Sequence, residues 1–255
     1  MAVKVKVYGV DGAAKGEQTL SAKFEQPLRP DLIRKAVSVA RANRRQPYGS
    51  DPEAGRKHST ESWGPGSGVS RIPRLRAGRR AAGVPPVVGG PRAHPPKAEK
   101  AWTEKINRKE ARRALASALS ATARKEIVAA RGHKFEDKVT LPLVVEDAFE
   151  AIDKTSELLA AFEKLGLAPD LVRAREGTQQ RPGIGKLRGR RYKVPRSLLL
   201  VVSPGAPVAR AAENLPGVDV VSPLRVDTEA VAPGGDAGRL LVISKKALSA
   251  LEGRP

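Results

Sequence analysis

The sequence predicts an α/β fold: a globular domain whose largely parallel sheet is flanked by helices, with a long extended irregular arm inserted after the first helix. Three observations carry this expectation. Short apolar runs alternate with helix-period apolar stripes through the second half of the chain, the pattern of strands and helices in a layered α/β domain. Residues 41–100 hold nine prolines and nine glycines and show no apolar periodicity. The positive charge gathers in two segments and leaves the rest of the chain close to balance. The expected boundaries are 1–45 and 101–255 for the globular domain and 46–100 for the arm.

Two strand signals open the chain, Val3–Tyr8 and, after Gly12 and Gly16, Thr19–Phe24. A helix is expected from about Asp31 to Arg45, with Asp31 as its N-cap and Ile33, Ala36, Val37 and Ala40 as its buried stripe. Arg34, Arg41 and Arg45 share a different face and lead charge toward the arm. Beyond the arm, Asn107 and Glu110 form a capping-box-like start. The helix they open runs to about Ala123 on Ala111, Ala114, Leu115, Ala118 and Leu119. Arg108, Lys109, Arg112 and Arg113 crowd that start, which the helix dipole disfavours unless an anion lies near. Then come strand Thr140–Val145, helix Thr155–Leu165, a short helix Asp170–Arg175 and strand Ser197–Val202. Helix Ala206–Asn214, strand Val218–Val221, a turn near Thr228–Val231, strand Arg239–Ile243 and helix Ser244–Leu251 complete the chain.

Composition excludes several classes. The 255 residues include no cysteine, so there is no disulfide framework, thiolate nucleophile or thiolate metal site. The three histidines, His58, His94 and His133, stand far apart, and a histidine-built metal site is not expected. The longest strongly apolar run, Leu198–Val202, is too short to span a membrane. With 4% aromatic residues, the core must rest on Ala, Val, Leu and Ile. Glu146 and Asp147 follow the first core strand without a partner His or Lys in any recognisable constellation. They read as surface residues beside a helix rather than as catalysts, and the chain as a non-enzyme.

Forty-seven Lys and Arg stand against 27 Asp and Glu, a net +20 that favours polyanions. From Arg41 to Lys100 there are 13 basic and 4 acidic residues, and from Arg181 to Arg196 there are 7 basic and no acidic ones. Together these 76 residues carry +16 of the +20. Clustered charge of this kind is the footprint of phosphate binding, because each neutralised phosphate releases counterions. In the first segment the cations are mostly arginine, which binds phosphate through a planar fork and stacks on bases: Arg44, Arg45, Arg56, Arg71, Arg74, Arg76, Arg79, Arg80 and Arg92. Tyr48 and Trp63 are costly residues for an idle linker. In the second segment Lys186, Arg188, Arg190, Arg191 and Tyr192 follow Gly183-Ile184-Gly185. Glycines there let backbone approach phosphate, and Tyr192 can stack on a base. A nucleotide-binding loop fails, since Gln180 and Leu187 hold the positions of its first Gly and its Ser or Thr. The dinucleotide pattern fails too, with Arg188 in place of its third glycine.

The order of parts also resembles a known family. Pro27-Leu28-Arg29-Pro30-Asp31-Leu32-Ile33 precedes the first helix, and Asn43-Arg44-Arg45-Gln46-Pro47-Tyr48-Gly49 stands at the arm's root. His94-Pro95-Pro96-Lys97 marks the arm's return, Ala130-Arg131-Gly132-His133 follows the second helix, and Lys186 to Tyr192 and Ala232-Pro233-Gly234-Gly235 come later. In this joint order the chain resembles the family of the large subunit's ribosomal protein four, the tunnel-lining protein, in its archaeal and eukaryotic branch. Ile184 departs from the pattern, standing where a more polar residue is expected. The resemblance implies a cytoplasmic, ribosome-bound structural protein that contacts large-subunit ribosomal RNA and neighbouring ribosomal proteins. Its arm runs inward through RNA, with Arg71 and Arg74 holding the returning strand and Lys97 near the root. A tip within Ser62–Arg76, carrying Trp63, Gly64, Gly66, Gly68 and Arg71, meets the nascent peptide in the exit tunnel. No cofactor is implied beyond structural Mg²⁺ between RNA phosphates. The rival expectation is a stand-alone RNA-binding regulator acting on messenger RNA.

Overall fold

In a computed structural model, residues 3–254 are described, and they form two compact units. The first comprises the segments up to Arg41 and from Lys105 onward, and the second is Ala42–Glu104. The chain opens with β1 (Lys4–Tyr8), β2 (Ala14–Thr19) and helix α1 (Pro30–Asn43). The second unit holds only β3 (Thr60–Glu61) and β4 (Arg74–Leu75) as regular elements. Then follow α2 (Arg108–Thr122), α3 (Lys125–Ala130), β5 (Leu143–Val145), α4 (Thr155–Lys164) and α5 (Ala168–Glu176). A short hairpin of β6 (Gln179–Gln180) and β7 (Tyr192–Lys193) precedes β8 (Leu199–Val201), α6 (Val208–Glu213) and β9 (Asp219–Val221). The chain closes with α7 (Thr228–Val231), β10 (Leu241–Ser244) and α8 (Lys245–Glu252).

The main sheet has the order β2-β1-β5-β10-β8-β9, and every pairing is parallel except β1 with β2. The interior strands β5 and β8 are apolar at every position, and β10 at all but its last, Ser244, because both faces are covered. Alternate side chains leave on opposite faces. Leu143, Val145, Leu200 and Val242 pack on one side with Leu158 and Phe162 of α4 and Leu171 of α5. Val144, Leu199, Val201, Leu241 and Ile243 pack on the other with Ile33 of α1, Leu119 of α2 and Leu248 of α8. This is the largely parallel, helix-flanked sheet expected from the alternating pattern.

Local expectations fail where a signal has two readings. The second strand lies earlier than Thr19–Phe24. β2 reads AKGEQT, almost wholly exposed, and is held at the sheet edge by backbone pairing with β1. Leu20 and Phe24 are buried, but their four-residue spacing serves a turn of 3-10 helix at Ala22–Phe24. Asp31 is not the N-cap of α1, which starts at Pro30. Its carboxylate instead accepts two bonds from Arg29, at 3.0 and 2.7 Å, and that guanidinium holds its carboxyl down to about 2. Val39 is buried and Ala40 exposed. Asn107 occupies the N-cap of α2 without a side-chain hydrogen bond, and Glu110 pairs with Lys35 at 2.8 Å rather than closing a capping box. On the charged face of α1, Arg34 and Arg41 pair with Asp236 and Glu229 inside the first unit.

Candidate nucleic-acid interface

Within the second unit the chain doubles back on itself. Ser50 N–H donates to Pro96 O at 3.0 Å, and Thr60 and Glu61 pair with Leu75 and Arg74. The backbone then turns again, with Leu75 N–H donating to Arg80 O at 3.0 Å and Ala82 N–H to Pro73 O at 3.1 Å. The loop between β3 and β4 carries Gly64, Gly66 and Gly68 at φ of 69°, 92° and 65°. These are left-handed angles that L side chains rarely adopt, and a Cβ at any of the three would meet nothing within 4 Å. Backbone angle, not crowding, therefore demands glycine in this loop. Ser62 Oγ donates to Arg71 O at 3.0 Å and Ser67 Oγ to Trp63 O at 3.2 Å, fastening the loop from within.

Around this hairpin stand five of the arginines expected to bind RNA. Arg74 braces the turns: its guanidinium donates to Arg79 O (2.5 Å) and bonds Ser70 Oγ (3.0 Å), and it lies 5.8 Å from the Trp63 ring. Arg76 is 3.7 Å from Glu61, and Arg80 reaches Val88 O at 3.5 Å. Arg71 and Arg79 are exposed. Nearer the unit's ends, Arg56, Arg92 and Lys97 line one cavity of about 990 Å³ between the outgoing and returning limbs. Tyr48 stacks near-parallel with Trp102, with ring centroids 6.3 Å apart and planes within 15°. The Arg45 guanidinium lies 3.7 Å from the Trp102 ring centre, and Arg44 is exposed beside it in sequence. Trp102 and Lys100 were missed in the sequence. The available signal was a tryptophan, one of only two in the chain, within a few residues of Lys100 and Lys105.

The second basic segment is a hairpin of the first unit. β6 and β7 pair Gln179 with Lys193 and Gln180 with Tyr192, and Arg181 N–H donates to Arg191 O at 2.8 Å. A turn of 3-10 helix, Ile184–Arg188, forms its tip. Lys186, Arg188, Arg190, Arg191 and Tyr192 are all exposed there, with Arg191 5.5 Å from the Tyr192 ring. Ile184 is exposed too, as is Leu187. Such a tip can meet phosphates without moving any core residue. The start of α2 offers a third concentration: Arg112 and Arg113 rim a cavity of about 590 Å³ floored by Leu115, Leu119, Val226 and Leu251.

The carboxyl ends of the parallel strands, where doubly wound sheets commonly bind ligands, are occupied by structural acids. Glu150 accepts from Ser203 N (2.8 Å) and Ser244 Oγ (2.5 Å), and Ser244 Oγ in turn caps α8 by accepting from Ala247 N. Asp147 accepts from Lys246 N at 2.9 Å, and Glu146 pairs with Lys15 at 2.6 Å. Among the described residues no three His, Cys, Asp or Glu side chains gather into a metal site, and no helix is long and apolar enough to cross a membrane.

Residues 18–254 match the model of the ribosomal protein L4/L1 family. The chain is 49% identical to the large ribosomal subunit protein uL4 of Methanothrix thermoacetophila, over 99% of its own length and all of the relative's. It is 46% identical to that of Archaeoglobus fulgidus, over 98% of each chain, and 47% identical to that of Methanocaldococcus jannaschii, over 99% of each. The matched family is one of structural ribosomal proteins and not of enzymes, and this chain belongs to it.

Proposed function

We propose that this protein is a structural constituent of the large ribosomal subunit in the cytoplasm, binding large-subunit ribosomal RNA and lining the nascent-peptide exit tunnel. The observation that carries the RNA reading is the exposure of two arginine-rich, acid-poor segments on irregular backbone: the second unit and the β6–β7 hairpin. Exposed arginines on such backbone can each meet a phosphate. Neighbouring large-subunit proteins and the nascent peptide are the further partners this role entails.

The tunnel reading rests on the loop between β3 and β4. Each half of a sixty-residue arm spans at most about 100 Å when extended, enough to carry its tip deep into an RNA particle. Glycines at 64, 66 and 68 make the tip narrow, and Trp63 beside it can stack on a base. Deleting Gly64–Gly68 is therefore expected to leave subunits that assemble but stall differently on regulatory nascent peptides, or bind tunnel-directed antibiotics differently. Particles that match the unaltered ones in both properties would remove the tip from the tunnel wall.

A further inference from the structure

The geometry points to a binding site for one unpaired nucleobase on the Trp102 indole, formed with Tyr48, Arg45 and Lys100 in the second unit. It rests on the RNA reading above and assigns a particular contact to it.

Four observations converge. Tyr48 and Trp102 lie near-parallel although 53 residues lie between them, in a segment without a core to bring them together. Tyr48 is 53% exposed, so its ring is not held there by burial. The planar Arg45 guanidinium lies 3.7 Å from the centre of the indole and 5.4 Å from that of the phenol, and the Lys100 ammonium lies 4.4 Å from the indole. Trp102 Nε1 is shielded from water with no hydrogen-bond acceptor.

Each observation has a counterpart in a nucleotide. A guanidinium and a base are both flat and both stack on indole, so Arg45 occupies the place that a base would take. Every base presents a π-face, and stacking of this kind tolerates any sequence. A phosphate, ribose hydroxyl or base carbonyl would give the orphaned indole N–H the acceptor it lacks. Arg45, displaced from the ring, and Lys100 beside it then reach the phosphates that flank the stacked nucleotide. A fully paired base is already stacked in its helix, so the site selects single-stranded RNA or a flipped-out base.

The test uses the full chain carrying Trp63→Phe, which leaves Trp102 as the only indole, and compares affinities within that background. A short single-stranded RNA should quench Trp102 emission as it binds, while a duplex of the same composition should bind with little quenching. Adding Trp102→Ala should weaken single-strand binding about tenfold or more with an unchanged salt slope, because the neutral indole releases no counterions. Trp102→Phe should restore part of that loss. Arg45→Ala should instead lower the slope of log affinity against log salt by roughly one unit. Single-strand binding with silent Trp102 emission, and an alanine variant within about twofold of its parent, would overturn this site while leaving the RNA reading intact. A chain that binds neither RNA overturns both.

Discussion

An Asp170→Ala chain is expected to lose about 3–5 kcal/mol of stability, the range for stripping one partner from a buried charge network. Asp170 has no exposed surface, and it lies in the first turn of α5, where a negative charge suits the helix dipole. Both its oxygens lie 3.1 Å from His133 Nδ1, and it accepts from Arg173 Nε (2.9 Å), Ser197 Oγ (2.6 Å) and the Lys134 N–H (3.1 Å). One carboxylate thus ties α5 to Ser197, two residues before β8, and to the loop after α3. Alanine would strand His133 and Ser197 without their acceptor, out of contact with water. Arg173 keeps part of its satisfaction through the Arg196 carbonyl at 2.8 Å.

The exposed Arg29–Asp31 pair has similar bond lengths but both side chains are more than half exposed, so Asp31→Ala should cost far less than Asp170→Ala. Burial pushes the Asp170 carboxyl up, yet the hydrogen bonds from His133 and Arg173 outweigh it and leave the group well below the usual carboxylate range. A carboxyl depressed by folding contributes its full stability above the unfolded value of about 4, and loses it as pH falls below that toward the folded value. Denaturation of wild type and variant at pH 7 and pH 3 measures both effects. The gap should be wide at pH 7 and narrower at pH 3. A variant within about 1 kcal/mol of wild type at pH 7 would show that the network contributes little.

The second large effect concerns RNA. Replacing Arg188, Arg190 and Arg191 together with alanine should weaken binding to large-subunit ribosomal RNA by on the order of a hundredfold or more, since each charge-assisted bond is worth roughly 1.5–3 kcal/mol. The slope of log affinity against log salt should fall by about two to three, one counterion set for each phosphate released. These side chains are exposed on the β6–β7 hairpin, so the fold should stay as it is. Circular dichroism checks that, and filter binding across a salt series reads the rest. Unchanged affinity and slope would take the hairpin out of the interface.

The parts of the fold legible in the sequence are those whose pattern burial dictates. Leu198–Val202 and, within the expected strand Arg239–Ile243, Leu240–Ile243 read as strands because covering both faces requires unbroken apolar runs, and both lie in the interior of the sheet. β2 was illegible because an edge strand held by its backbone needs no apolar side chain. α3 was missed because its six residues bury only Val128 fully, too little to make a stripe. The cap at Asp31 and the capping box of Asn107 with Glu110 do not form, although Asn107 holds the N-cap position, because a suitable side chain only permits a cap. Arg29 competes for the first, and the second makes no capping bond. In the interface, charge density was legible as composition. The Tyr48–Trp102 stack was not, because it joins distant residues across a segment with no periodicity from which a contact could be inferred.

The most direct test of a large-subunit role is sedimentation of the tagged chain from cell extract through gradients containing enough salt to strip loosely bound factors. A structural constituent held by many phosphate contacts and by burial in RNA should remain with the large-subunit peak at one copy per particle. Release to the top of the gradient, or recovery only with messenger RNA fractions, would contradict that role and favour a stand-alone RNA-binding regulator.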